Sequence, residues 1–334
     1  MNEDRVANVL SVENLFLDFQ TFDGTYQVLD GIDLRIAPGE TVGIVGETGC
    51  GKSVLAKSVL RLHDAPPAVY RGGRIEWNGE NLLSVSEKRL RRVRGTEIAI
   101  VFQDPTTFLD PLYTAGNYVS EAISHQAKVH GVRLSGREKR EAAIELLTRL
   151  GLPDPQRAFV SYPHQLSGGM RQRVLIAAAM AGKPRLLIAD EPTTALDVTV
   201  QEQILRILLD LVEETAVSVM LISHDLGVIA NVCQRVVVMY AGTIVEDGPK
   251  RQVLSRPAHP YSKGLIDAVP RLGGGRGAFS SIPGQIPNLL SPPTGCRFSP
   301  RCPHATSICR EEKPRLRPLG DGRQAACHHV DISA

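Results

Sequence analysis

Apolar and polar positions alternate over residues 9–20 and again over 26–37, with Asp23-Gly24 between the two runs. A period of two puts successive side chains on opposite faces of a strand, and Asp-Gly is a turn dipeptide, so a strand pair is predicted. Glu40-Thr41-Val42-Gly43-Ile44-Val45 is a short apolar stretch rich in β-branched residues, as a strand buried on both faces requires. Arg74–Trp77 and Ile98–Phe102 add two short strands. From 104 to 165 the character changes. Turn-rich Asp104-Pro105 to Pro111 leads into helical spacing over 114–130 and 136–151, the latter with Ala142, Ile144, Leu146, Leu147 and Leu150 on its apolar side. From Ser167 helices alternate with strands: helix 167–181, strand 185–189, helix 199–214, strand 217–222, a further helix, strand 235–240. That order predicts an α/β fold with a mostly parallel sheet flanked by helices. Beyond about residue 255 proline, glycine and arginine replace the periodicity, and a domain boundary is expected there.

Composition narrows the class without naming a function. The 334 residues are 43% apolar and 22% charged, ordinary for a globular protein. With 38 basic and 36 acidic residues the net charge is +2, so bulk charge gives no case for a nucleic-acid partner. The apolar runs 174–181 and 219–222 fall far short of a bilayer span, and the N-terminal residues lack the apolar core of a secretion signal. A cytosolic location is therefore expected, where thiols stay reduced. Any membrane role comes through a partner chain.

Between the predicted strand ending at Val45 and the helical spacing of 54–62 lies Gly46-Glu47-Thr48-Gly49-Cys50-Gly51-Lys52-Ser53. Strand, glycine-rich turn and helix is the context in which this pattern cradles a triphosphate. Glycines let backbone N–H groups curl around the β-phosphate, and the helix N-terminus adds partial positive charge. Lys52 reaches the β- and γ-phosphates and the Ser53 hydroxyl ligates Mg²⁺. A thiol at a helix N-terminus is expected to have a lowered pKa, so Cys50 is a candidate for alkylation. Leu186–Ala189 is an apolar strand that ends in two carboxylates. Asp190 at its tip suits Mg²⁺, and Glu191 suits polarising the attacking water. Leu166-Ser167-Gly168-Gly169-Met170 precedes an apolar helix and forms a second anion-binding helix N-terminus. One triphosphate hardly needs two such devices, so this one is expected to address a nucleotide held by a second subunit.

With these motifs the chain resembles the ATP-binding cassette (ABC) ATPases over about residues 8–250. Met170 stands where the family usually has glutamine, so only Ser167, Gly168 and Gly169 are carried over as γ-phosphate contacts. The resemblance implies further roles: Gln103 as the glutamine that senses Mg²⁺ and links to the helical subdomain, Thr194-Ala195-Leu196-Asp197 as the loop that speaks across the dimer, and His224 as a γ-phosphate contact. It also implies an aromatic stacked on adenine, for which Phe19, Phe22 and Tyr26 all lie in the right interval, Phe19 being favoured. Two cassettes sandwich two ATP molecules, and the helical insert passes the motion to membrane subunits through an exposed groove near Phe108 and Leu109.

Four of the six cysteines, Cys296, Cys302, Cys309 and Cys327, lie in the tail. Four thiolates can hold Zn²⁺ or an iron–sulfur cluster, and His304, His328 or His329 can replace one ligand. Intervening lengths of five, six and seventeen residues do not match the Cys-x2-Cys zinc knuckle, and spacing leaves both readings open. The segments Tyr162–Arg173, His259-Pro260-Tyr261-Ser262, Ile282-Pro283-Gly284 and Cys296–Pro303 look like the oligopeptide/dipeptide importer branch. That resemblance implies a [4Fe–4S] cluster on the four cysteines, with Zn²⁺ as the alternative. It further implies a P-loop cassette over 8–255 with a mostly parallel core sheet, an antiparallel β subdomain and a helical subdomain at 104–165, followed by an irregular extension over 256–334. The expected role is the ATP-hydrolysing subunit of an importer of di- or oligopeptides, peripheral on the cytoplasmic face of the inner membrane. Expected partners are two transmembrane permease subunits, a second ATPase (paralogous or identical) and an extracytoplasmic solute-binding protein, with no nucleic acid. Import of nickel or another small solute, and a soluble non-transport ATPase, are the alternatives.

Overall fold

The computed structural model describes residues 8–193, 197–269 and 282–330. The chain folds as two compact units interleaved in sequence: a phosphate-loop unit of 10–36, 41–83 and the described chain from 223 onward, and a helical unit of 37–40 and 84–222.

The phosphate-loop unit opens with the strand pair β1 (Leu10–Thr21) and β2 (Gly24–Ile36), antiparallel around the Asp23-Gly24 turn. Alternation becomes burial: Leu10, Val12, Leu15, Leu17, Leu29, Ile32, Leu34 and Ile36 are all buried, each worth about 1.5–3 kcal/mol by its removal from water. β3 (Thr41–Val45) is buried at every position and leads into the loop before α1 (Lys52–Val59). β4 (Ala68–Trp77) starts six residues earlier than the sequence suggests. Residues 68–73 have no clear strand pattern, yet Phe19 faces Ala68 and Leu17 faces Tyr70 across the β1–β4 ladder, so pairing with β1 overrides local propensity. β5 (Glu80–Asn81) completes this antiparallel sheet, in the order β2-β1-β4-β5.

The helical unit begins with α2 (Glu87–Val93), a short charged helix capped by the Ser86 hydroxyl, which buries only Leu90 and Val93. Two buried residues in seven left no visible stripe in the sequence. After β6 (Ile98–Val101) come α3 (Pro105–Phe108), α4 (Ala115–Val129), α5 (Gly136–Arg149), α6 (Pro155–Val160) and α7 (Gly168–Ala181). α4 packs on α5, α6 and α7, and it buries Val119, Ile123 and Ala127. On α5 the fully buried residues are Ala143 and Leu147, followed by Leu150, whereas Ala142, Ile144 and Leu146 are half-buried. The apolar stripe is thus turned slightly from the expected register. β7 (Leu186–Asp190), α8 (Val198–Thr215) and β8 (Ser218–Ile222) follow, and β6, β7 and β8 run parallel.

Back in the phosphate-loop unit, α9 (Leu226–Val232), β9 (Arg235–Tyr240), β10 (Thr243–Pro249), α10 (Lys250–Ser255) and α11 (Pro260–Asp267) lead to α12 (Ser307–Glu311) and the hairpin β11 (Arg317–Pro318) and β12 (Gln324–Ala325). β9 pairs parallel with β3, β10 pairs antiparallel with β9, and β12 adds to β10 with Glu246 opposite Ala325. The tail that looked irregular in sequence is therefore stitched onto the sheet carrying the phosphate loop. No described helix is long and apolar enough to cross a membrane.

Candidate functional site

The phosphate loop is shaped by positions that only glycine fills. Gly46 has φ +155°, and a β-carbon there would stand 2.2 Å from the Met239 carbonyl oxygen, so the loop lies directly against the end of β9. Gly51 begins α1 in the left-handed region with φ +101°. Thr48 and Gly49 are exposed at the crest. Lys52 is only 4% exposed, and its ammonium donates to the carbonyl oxygens of Gly46 (2.8 Å) and Glu47 (3.1 Å). The Ser53 side chain is half-buried on the first turn of α1.

Cys50 does not behave as its position at a helix start suggests. It is fully buried, and burial pushes its thiol up, outweighing the lowering effect of Lys52 nearby. The expectation of an activated, alkylatable thiol is corrected on that ground. Sequence shows the helix start but not the wall behind it.

In the same unit His224 is exposed and sits just after β8, before α9, whose first turn Asp225 caps. The Ser223 N–H donates to Ile44 O at 3.3 Å, which places the backbone before His224 beside the strand that enters the phosphate loop. Of the three aromatics, Phe19 is half-buried and meets His63 edge-on at 5.3 Å, Tyr26 faces Phe19 across the β1–β2 ladder, and Phe22 is 110% exposed at the turn.

The helical unit carries the carboxylates. Asp190 ends β7 and is buried; Glu191 follows with φ +48°, an uncommon conformation for a non-glycine residue. Its N–H donates to Ile222 O at 2.9 Å, and its carboxylate accepts from Gln103 Nε2 at 3.1 Å. Ser167 caps α7, its hydroxyl accepting from the Met170 N–H at 3.3 Å, and Ser167 and Gly168 are exposed. At Gly169 a β-carbon would stand 2.6 Å from Val200 Cγ1, so α8 leaves room for nothing larger. Asp197 is exposed and caps α8; residues 194–196 of the same loop lie outside the described residues. Near the insert Phe108, Leu112 and Tyr113 are exposed, but Leu109 is buried, which removes it from the expected groove.

In the tail, among the described residues, no three His, Cys, Asp or Glu side chains converge to hold a metal ion. Neither the expected [4Fe–4S] cluster nor its Zn²⁺ alternative therefore has a formed ligand set among the described residues. The four thiols do share one neighbourhood. Burial pushes Cys296 up to about 11, and the charges of Cys309, Cys327 and Cys302 push the same way. Cys302 is raised by burial and by Cys327 and Cys309, and Cys327 by burial and by Cys309. Cys309 Sγ lies 3.3 Å from His329 Nε2, and the Cys296 N–H donates to Cys309 O at 2.8 Å. Sequence reading missed the arginines between these cysteines. Arg297 pairs with Asp30 at 3.3 Å, and Arg301 pairs with Glu47 of the phosphate loop. Both are long-range pairs to which no local spacing points.

Phosphate loop, strand-tip carboxylates and a glycine-led helix following Leu-Ser-Gly define a cassette ATPase, and the comparisons agree. The family described as ABC transporter matches residues 29–194, and the oligopeptide/dipeptide transporter C-terminal region matches 245–309. Among relatives, the "Probable peptide ABC transporter ATP-binding protein y4tR" of Sinorhizobium fredii is 47% identical over 320 residues, covering 96% of this chain and 94% of its own. The "Dipeptide transport ATP-binding protein DppD" of Escherichia coli is 45% identical over 322 residues, covering 96% of each. A solved dimeric structure of the ATP-binding cassette MJ0796 with ADP and phosphate aligns at TM-score 0.64 and 29% identity, covering 72% of this chain and 99% of that one. The chain belongs to the ABC transporter ATP-binding family and carries the C-terminal region of its oligopeptide/dipeptide branch; it is an ATPase.

Proposed function

We propose that this chain is the ATP-hydrolysing subunit of an importer of di- or oligopeptides, peripheral on the cytoplasmic face of the inner membrane. It works with two permease subunits, a second ATPase subunit and, indirectly, a solute-binding protein. The family match and the peptide-transport names of relatives that align over nearly their whole length support this reading. The cassette spans 8–255, with the helical insert at 104–165, and the extension spans 256–334. Gly46, Glu47, Thr48, Gly49, Cys50 and Gly51 surround the phosphates of ATP, Lys52 neutralises the β- and γ-phosphates, and His224 contacts the γ-phosphate. Phe19 of the β1–β2 hairpin, favoured over Phe22 and Tyr26, stacks on adenine. Ser53, Asp190 and Gln103 would hold Mg²⁺, which would supply positive charge against the negative charge of the phosphates.

The observation that carries the catalytic assignment is the hydrogen bond from Gln103 to Glu191, which orients the carboxylate that takes a proton from the attacking water. Ser167, Gly168 and Gly169 complete the site of a neighbouring protomer, and Asp197 lies at that dimer seam. ATP binds both faces and closes the pair; hydrolysis lets it open. Glu191→Gln is expected to bind ATP at near wild-type affinity, to lower turnover by at least about a hundredfold and to hold a closed dimer visible by size-exclusion chromatography with ATP. Undiminished steady-state hydrolysis refutes the assignment.

Cys296, Cys302, Cys309 and Cys327 are the residues that would hold a [4Fe–4S] cluster. The four thiols lie near enough to influence one another electrostatically, which supports this reading.

A further inference from the structure

Glu47 is held at three points. Its N–H donates to Tyr261 Oη at 2.8 Å, its carbonyl accepts from Lys52 Nζ at 3.1 Å, and its carboxylate takes a bidentate pair of hydrogen bonds from Arg301 at 2.7 and 3.1 Å. Two of the three holders, Tyr261 and Arg301, belong to the C-terminal extension. Arg301 has a partner for each of its five N–H groups. Nε donates to Pro283 O at 2.8 Å, Nη1 to Glu47 and to Tyr240 Oη at 3.4 Å, and Nη2 to Glu47 and to Ile282 O at 3.0 Å. Its side chain is 4% exposed. Tyr261 is fully buried, its ring 4.6 Å from Tyr240 and 5.5 Å from Phe298 between centroids. Turns fix the segment that bears Arg301: Ser299 N–H to Cys296 O at 2.9 Å and Arg301 N–H to Phe298 O at 3.0 Å.

A guanidinium anchored from behind presents two parallel N–H groups at a fixed place, and a carboxylate that accepts both is fixed with it. A residue held at its N–H and its side chain has little freedom left in its peptide. That ordering cost is then met before nucleotide arrives, and the benefit appears as affinity.

We propose that Arg301 is a positioning residue for nucleotide binding: a guanidinium of the C-terminal extension that pins Glu47 and so presets the phosphate loop. This rests on the reading that Gly46–Ser53 holds the triphosphate. The extension is in this account part of the nucleotide site, and the loop between Cys296 and Cys302 is its lever.

The test measures MgATP affinity of the full chain with a fluorescent nucleotide, together with kcat and KM, for wild type, R301A, R301K, E47Q and the R301A/E47Q pair. R301A and E47Q are each expected to weaken binding about tenfold, or ~1.4 kcal/mol, with kcat per bound nucleotide changing less than about threefold. R301K is expected to recover only part, because an ammonium cannot offer two parallel donors. The double variant is expected to bind no more weakly than the weaker single one, since both remove the same contact. Wild-type affinity in E47Q, additive losses in the pair, or a fall in kcat at unchanged affinity overturns the proposal. E47Q keeps the size of the side chain and an accepting oxygen for Arg301, so it decides the matter even where R301A fails to fold. K52A separates the underlying reading: wild-type protein that binds no MgATP, or K52A that binds it equally well, sinks the phosphate-loop assignment, whereas normal wild-type binding with an indifferent E47Q sinks only the role of Arg301.

Discussion

Gln103 and Glu191, 88 positions apart, meet through a hydrogen bond in which Nε2 donates to Oε2 at 3.1 Å. Glu191 reaches this position with a left-handed backbone, φ +48°, and its N–H tied to Ile222 O. Backbone and side chain are thus both constrained at the residue assigned to water activation, a place where such strain commonly collects.

Removing the constraint should slow chemistry more than binding. Gln103→Ala is expected to lower kcat by roughly ten- to a hundredfold, the effect of a misplaced reacting group, while nucleotide affinity moves less than about threefold. Steady-state kinetics alongside nucleotide titration checks this. Unchanged kcat would detach Gln103 from the reacting carboxylate.

Cys50 should resist modification in the native protein. It is buried and its thiol is pushed up, so thiolate is scarce and inaccessible. A brief maleimide pulse, digestion and mass spectrometry are expected to find Cys50 unlabelled in folded protein and labelled in denaturant. Rapid labelling in the native state would show that the loop opens.

Anaerobically purified protein is expected to carry iron and sulfide at about four each per chain, with a visible absorbance lost on replacing Cys302 by Ser. Stoichiometric zinc without iron would overturn the cluster assignment.

His259 is fully buried, caps α11 by accepting the Tyr261 N–H at 3.0 Å, and is pushed by burial from 6.5 down to about 3. Between those values the unfolded chain takes a proton that the folded one refuses. Stability therefore falls as pH drops below about 6.5, by about 1.4 kcal/mol per pH unit. Glu246 accepts the Ala258 and His259 N–H groups at 2.9 Å, with Arg323 at 3.9 Å, and burial raises its carboxyl. Its proton is favoured by folding, so in acid it works the opposite way. His259→Asn keeps a capping acceptor and removes the titration. Denaturant unfolding at pH 7 and 5 is expected to show wild type losing about 2 kcal/mol more than H259N. Equal losses would take His259 out of the acid response.

What is local was legible. The loop from Gly46 to Ser53, the carboxylates after β7, the Ser167 cap of α7 and the β1–β2 alternation each depend on neighbours a few residues away, and spacing encodes such relations directly. What depends on distant backbone was not. β4 extends to Ala68 because β1 lies beside it, α5 is turned by its packing against α4, and the Cys50 thiol is silenced by the wall it is packed against. The pairing of Arg301 with Glu47 spans 254 positions. Nothing at either end of that interval announces the other. Sequence alone identified the phosphate loop, because the residues from Gly46 to Ser53 act as one continuous turn and helix start. Only the tertiary structure decided that the tail holds the phosphate loop, because an ion pair is chosen by which surfaces the fold brings within 3 Å and not by the order of residues along the chain.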